Sequence, residues 1–217
     1  MSTPLLEATD ISHTFDYPLF SHIDFTLYPK ESIAIVGRSG SGKSTLLHIF
    51  STFLKPLEGE VKLLDHRLLG LSEDEIETLR RYDIGIIFQF HYLFKGMSAL
   101  ENISVATMLS GEKVDEKILK KLQIDHLMSH KTSELSGGEQ QRVSIARVLS
   151  KKPRIIFADE PTGNLDKETA DLVMDVLLDY IRETESGLVL VTHDPQMAQM
   201  CDRIYALENR QLEVKKG

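Results

Sequence analysis

Residues 37–45 read GRSGSGKST. Gly37, Gly42, Lys43 and Ser44 satisfy the spacing G-x-x-x-x-G-K-[ST], preceded by the apolar run SIAIV at 32–36 and followed by a helical pattern over 43–53. A strand that runs into a glycine turn and then a helix aims several backbone N–H groups at one point. The helix start adds partial positive charge there. This is the arrangement that cradles phosphate, and the strand and helix flanks are its required context. Gly37, Arg38, Ser39, Gly40, Ser41 and Gly42 are the expected cradle. Lys43 is expected to reach β- and γ-phosphates, Ser44 to ligate Mg²⁺, and Thr45 to lie near an α-phosphate.

Outward from this loop, strand and helix patterns alternate. Strands are expected at 5–11, 23–27, 32–36, 59–64, 84–88, 154–158 and 188–191, with a closing hairpin at 203–207 and 211–214. Helices are expected at 43–53, 73–81, 99–109, 114–122, 138–150 and 167–183, with a short one starting at Pro195. The alternation predicts an α/β fold with a mainly parallel sheet. The early strands suggest an antiparallel side sheet, and residues 90–150 a helical subdomain within one domain spanning 1–217. There is no repeat, low-complexity tract or linker.

Composition narrows the class. The 217 residues are 41 % hydrophobic and 27 % charged, which is globular. A net charge of −8 argues against nucleic acid as a partner. Cys201 is the single cysteine, so no internal disulfide is possible; it reads as a small semi-buried side chain. The first ten residues, MSTPLLEATD, lack a basic segment followed by an apolar run, so no signal peptide is expected. The longest apolar runs are far shorter than a membrane span. Any membrane role is therefore expected to come through another chain.

Two further motifs carry chemistry. RIIFADEP at 154–161 places Asp159 and Glu160 at the C-terminal end of a strand, the edge where open α/β sheets bind ligands. Asp159 suits hydrated Mg²⁺, and Glu160 suits polarising a water. Adjacent residues on an extended segment are expected to point opposite ways. LSGGEQ at 135–140 opens a helix and offers a second anion site at Ser136 Oγ and the Gly138 N–H. A helix start alone is an ordinary cap; its occurrence with the phosphate loop makes it more.

With both motifs in hand, the chain resembles an ATP-binding cassette nucleotide-binding domain over essentially its full length. That resemblance implies an ATPase using ATP and Mg²⁺. It implies a homodimer or paired cassette in which Ser136, Gly137 and Gly138 of one copy face the γ-phosphate held by Lys43 of the other. It implies that Gln89 contacts Mg²⁺ or water, that Asp166 of GNLD (163–166) crosses the dimer interface, and that His193 binds the γ-phosphate. Phe15 resembles the aromatic that stacks on adenine, with Tyr17 as its rival. Glu139 stands where many members have Gln and is expected to point away from the phosphate. Thr132 stands where Pro is frequent.

QFHYLFKGMSALEN at 89–102 and ADEPTGNLD at 158–166 resemble the lipoprotein-release, macrolide-efflux and cell-division branch. The stretch from Phe15 to Phe25 is shorter than in the lipoprotein-release members. The branch implies a peripheral place at the cytoplasmic face of the inner membrane. Its implied partner is an integral membrane subunit docked on the 89–94 region, where Phe90, Tyr92, Leu93 and Phe94 cluster; the core of the helical subdomain is the competing place for these side chains. Mechanical signalling or import is the alternative to release. A small P-loop kinase is more remote, since such an enzyme lacks LSGGEQ and GNLD and carries a lid with catalytic arginines.

Overall fold

The computed structural model describes residues 3–216; Met1 and Ser2, on which part of the signal-peptide reading rests, lie outside them. The chain runs β1 (Leu6–Thr14), β2 (Pro18–Leu27), β3 (Ser32–Val36), α1 (Lys43–Phe50), β4 (Glu58–Leu63), β5 (His66–Arg67), α2 (Glu73–Tyr82) and β6 (Ile84–Ile87). It continues through α3 (Ala99–Ser110), α4 (Glu116–Lys121), two 3₁₀ turns, α5 (Gly137–Leu149), β7 (Ile155–Asp159), α6 (Lys167–Thr184), β8 (Gly187–Val191), α7 (Pro195–Gln199), β9 (Arg203–Glu208) and β10 (Gln211–Lys216).

Two sheets result. The larger has the order β10-β9-β3-β8-β7-β6 and is parallel except for the β9–β10 hairpin. The smaller is the expected antiparallel side sheet, ordered β2-β1-β4-β5. The central strands β3, β7 and β8 are buried almost throughout, as a parallel sheet covered on both faces requires. Their alternation sorts the core. Ala34, Ile156, Ala158, Leu188 and Leu190 pack with Val143, Ala146, Val173 and Leu177 of α5 and α6. Ile33, Ile35, Phe157, Val189 and Val191 pack with Leu46, Leu47 and Phe50 of α1 and with Leu6, Ile11 and Phe25 of the side sheet. Cys201 is buried, and burial pushes its thiol up to about 12.

Several boundaries differ from expectation for local reasons. β1 does not stop at Ile11. Its pairing shifts between Ala8 and Ile11, where Asp10 takes φ 57°, so the inward set changes from Leu6 and Ala8 to Ile11 and His13. This bulge carries the hairpin on to Thr14 and lets Pro18 open β2. α1 ends at Phe50 rather than 53, because Thr52 turns to φ 73° and the N–H groups of Phe53 and Leu54 return to the His48 carbonyl. α4 begins at Glu116, where the Asp115 carboxylate accepts from the Lys117 and Ile118 N–H groups. The two-residue β5 has no periodic signal to read. The expected helical stretch opens with an irregular loop, residues 88–98, ahead of α3.

The bulge in β1 makes a stringent demand on β4. Gly59 sits at φ 87°, and a Cβ there would lie 2.4 Å from the Asp10 carbonyl oxygen and 2.5 Å from that of Thr9. Backbone cannot yield to relieve this. Gly59→Ala is expected to lower unfolding free energy by about 2–4 kcal/mol, read as a reduced urea midpoint; a change below about 0.5 kcal/mol would contradict the register.

Candidate functional site

The strand register builds the site. Ile35 of β3 and Asp159 of β7 both lie opposite Val191 of β8, so the three strands end level. The next residues stay bonded across the gap: Thr192 N–H donates to Ile35 O at 3.3 Å, and Glu160 N–H to Val191 O at 2.9 Å. The 37–45 loop, the Asp159–Glu160 pair and His193 therefore leave the sheet at one edge.

Among the described residues, α1 is the α-helix without a side-chain cap. Its N-cap is Gly42, left-handed at φ 100° and pressed against Phe20, whose ring would lie 3.1 Å from a Cβ. α2 through α7 are capped by Ser72, Ser98, Asp115, Ser136, Asp166 and Asp194. The first-turn N–H groups of α1 thus remain available to an external acceptor. Lys43 is buried over the loop and its Nζ donates to the Gly37 and Arg38 carbonyls, each at 2.9 Å. Ser41 Oγ is buried without a partner. Arg38, Ser39, Gly40 and Ser44 are exposed, and Thr45 is half-buried.

Asp159 is half-buried, and its Oδ1 has no partner. Desolvation pushes its carboxyl above the usual range, while the neighbouring Ser44 hydroxyl, His48 and Lys43 pull the other way. A buried carboxylate oxygen with nothing to accept from, facing a serine at a phosphate-loop helix, fits a hydrated divalent cation. Mg²⁺ takes one or two protein oxygens and fills its shell with water and phosphate. No cluster of three or more His, Cys, Asp or Glu suited to a metal occurs among the described residues, and such a site needs none.

Glu160 corrects one expectation. It diverges from Asp159 not by strand alternation but because it turns left-handed, at φ 48°. This swings its carboxylate onto the end of β8. Oε1 lies 2.9 Å from His193 Nδ1, and Oε2 accepts from Thr192 Oγ1 at 3.4 Å. The Glu160 side chain is 15 % exposed and that of His193 72 %, so the histidine lies between the carboxylate and solvent. Both line a cavity of about 240 Å³ with Thr162, Gly163 and Leu165. This pairing was not read from sequence, where the two residues stand 33 apart.

The 135–140 turn joins the 37–45 loop through no hydrogen bond among the described residues. Gly137 and Gly138 open α5, and a Cβ on Gly138 would lie 3.5 Å from Leu165. Glu139 does not turn away. Its carboxylate folds back on Ser136, accepting from the backbone N–H at 2.7 Å and from Oγ at 2.8 Å. Asp166 caps α6, accepting from Thr169 N–H at 3.0 Å and Thr169 Oγ1 at 2.7 Å. Phe15 is exposed at the β1–β2 turn, with the buried His13 ring edge-on at 4.8 Å.

Gln89 is exposed in a bend two residues beyond β6. The loop it opens is held by three side chains that sequence reading passed over. Gln141, buried in α5, donates to the Phe88 and Pro161 carbonyls and bonds His91 Nδ1 at 2.7 Å. Arg147 donates to the His91 and Tyr92 carbonyls. Asn102 bonds the Phe94 N–H and carbonyl. With its backbone so fixed, the loop exposes Phe90, Tyr92 and Phe94, while Leu93 packs on the core. Phe53, beyond the end of α1, continues the aromatic surface through Phe88.

The chain is similar to known proteins in both sequence and fold. Residues 20–163 match the family model for ABC transporters. The lipoprotein-releasing system ATP-binding protein LolD of Idiomarina loihiensis is 36 % identical, with all of both chains covered. That of Shewanella oneidensis is 41 % identical over 92 % of this chain and 89 % of its own. Among solved structures, a dimeric post-hydrolysis state of the ATP-binding cassette MJ0796 bound to ADP and Pi superposes with a TM-score of 0.88. It is 33 % identical, and 97 % of this chain and 98 % of that one are covered.

The orphaned Asp159 oxygen gives a test on the free protein. Asp159→Asn removes a desolvated charge and is expected to stabilise the nucleotide-free chain by about 1 kcal/mol, seen as a raised urea midpoint. A lowered midpoint would mean that the carboxylate is already paired.

Proposed function

The chain belongs to the ABC transporter family, and from that membership we propose that two copies close over two ATP molecules and drive a membrane subunit in lipoprotein release. The chain is an ATPase subunit that binds ATP. The observation that carries the rest is the asymmetry of its two glycine-rich helix starts. The uncapped start of α1 shares a sheet edge with Asp159, Glu160 and His193, whereas the Ser136 turn, among the described residues, makes no hydrogen bond to that edge.

In this reading the whole of residues 1–217 acts as one nucleotide-binding domain, with its helical part at about 90–150. The exposed ring of Phe15 stacks on adenine. The backbone of Gly37, Arg38, Ser39, Gly40, Ser41 and Gly42, with the Thr45 region, surrounds the phosphates. Lys43 exchanges the Gly37 and Arg38 carbonyls for β- and γ-phosphate oxygens, so that both partners of the bond are ionised. Ser44, Asp159 and Gln89 are the residues that would hold Mg²⁺. Such an ion, when bound, neutralises charge on the phosphate oxygens.

Glu160 accepts a proton from the attacking water, and His193, released from Oε1, donates to the γ-phosphate. Glu160 is already desolvated and turned into the cavity, so it needs only that release to face a water. Ser136, Gly137 and Gly138 of the second copy complete the phosphate shell, with Asp166 at the crossing between copies. ADP and phosphate leave, the shared shell is lost, and the copies separate.

The exposed aromatics at 90–94 are the surface proposed for the membrane subunit. Large apolar groups held on a fixed backbone suit an interface. No helix among the described residues is long and apolar enough to cross a membrane; the place proposed for the chain is peripheral, at the cytoplasmic face of the inner membrane, through that subunit. The names of the relatives supply the lipoprotein-release assignment.

Glu160→Gln tests the base. Turnover is expected to fall roughly 10²–10⁴-fold with ATP binding retained, and the variant is expected to accumulate as a dimer on ATP. Near-normal steady-state turnover would remove Glu160 from that role.

A further inference from the structure

Three helices of this chain begin alike. Ser72, Ser98 and Ser136 are N-caps, and Glu75, Glu101 and Glu139 reach back to each serine's backbone N–H. At α2 and α3 this reciprocal arrangement satisfies helix-end donors and has no other consequence. At α5 the same carboxylate occupies the Ser136 hydroxyl, one of the donors of the cap assigned above to the second copy's triphosphate.

Ser136 Oγ has a single proton to give, and it is given to Glu139 Oε2 at 2.8 Å. The Ser136 backbone N–H is given to the same oxygen at 2.7 Å. These two bonds hold the Glu139 carboxyl below its ordinary range, so it is an anion at neutral pH. A phosphate arriving at Ser136 meets a hydroxyl already committed and a like charge at the same helix start.

We propose that Glu139 is an internal competitor for the γ-phosphate at the Ser136 cap and thereby sets the ATP concentration at which two copies close. The proposal rests on the reading of Ser136 as the cap that faces the other copy's ATP. For the dimer to form, Glu139 must release the Ser136 hydroxyl and swing outward. The structure holds a place for it to go. Arg142, one turn further along α5, has a buried Nε without a partner, and its Nη1 lies 3.8 Å from the position of a Cβ on Gly138. Arg142 is the cation whose field already reaches Glu139. A glutamine at 139 would keep the cap through its carbonyl oxygen and bring no charge, so it would yield to phosphate at lower cost.

The test is ATP-driven dimerisation by sedimentation velocity in a Glu160→Gln background, which prevents turnover. Adding E139Q is expected to lower the ATP concentration for half-maximal dimer by about tenfold, with the gap narrowing at high salt. E75Q removes the same charge from the same kind of cap on α2 and is expected to leave the midpoint unchanged. A midpoint for E139Q within twofold of the parent, or an equal shift in E75Q, would overturn the proposal while leaving the shared site standing. Failure of both the parent and the E139Q variant to dimerise at saturating ATP would overturn the shared site itself.

Discussion

The register of three parallel strands governs everything at the site. Val191 lies opposite both Ile35 and Asp159, and one residue of slip on either side would send alternate side chains to the wrong face. The strands cannot slip, because Ile33, Ile35, Phe157 and Val189 are committed to one core while Ala34, Ile156 and Leu190 are committed to the other. Two cores, one on each face, thus fix the chemical edge between them. The phosphate loop, the acidic pair and His193 share that edge for a reason of packing.

On this frame the chain distributes helix starts unequally. The helix after the phosphate loop has no internal acceptor for its first N–H groups, and Lys43 spends its charge on two carbonyls. The start of α5 is closed by its own Glu139. One helix start has no side-chain acceptor, and the other carries a stand-in anion. An ATP molecule that bridges two copies must fill the first and displace the second, which makes closure a competition between the substrate and a residue of the protein.

The core fold and the site residues were legible to different degrees. The parallel strands announce themselves as short β-branched runs ending in Gly37, Asp159 and His193, and the phosphate loop carries its own spacing. The β1 bulge at Asp10 was not legible, because a left-handed residue inside a strand leaves no mark on alternation until the partner strand is known. The turn at Glu160 was hidden for the same reason: sequence shows an acidic pair, and only the backbone shows that the second carboxylate swings toward His193. Gln141, Arg147 and Asn102 read as ordinary polar residues of amphipathic helices. Their function as holders of the 88–94 loop depends on contacts spanning 8 to 56 residues. The helix dipole alone favours an acid at 139 in the first turn but does not say that the acid will accept the serine's hydrogen bond.

A mixing experiment tests the shared site most directly. One variant carries Lys43→Ala and keeps its Ser136 cap; the other carries Ser136→Arg and keeps its phosphate loop. Neither alone can assemble a complete site if each ATP is held by the loop of one copy and the cap of the other. Mixed, they form one complete site per pair, so ATP hydrolysis should appear in the mixture and in neither component. A mixture as inactive as its parts, or full activity in either variant by itself, would contradict a triphosphate held between two chains.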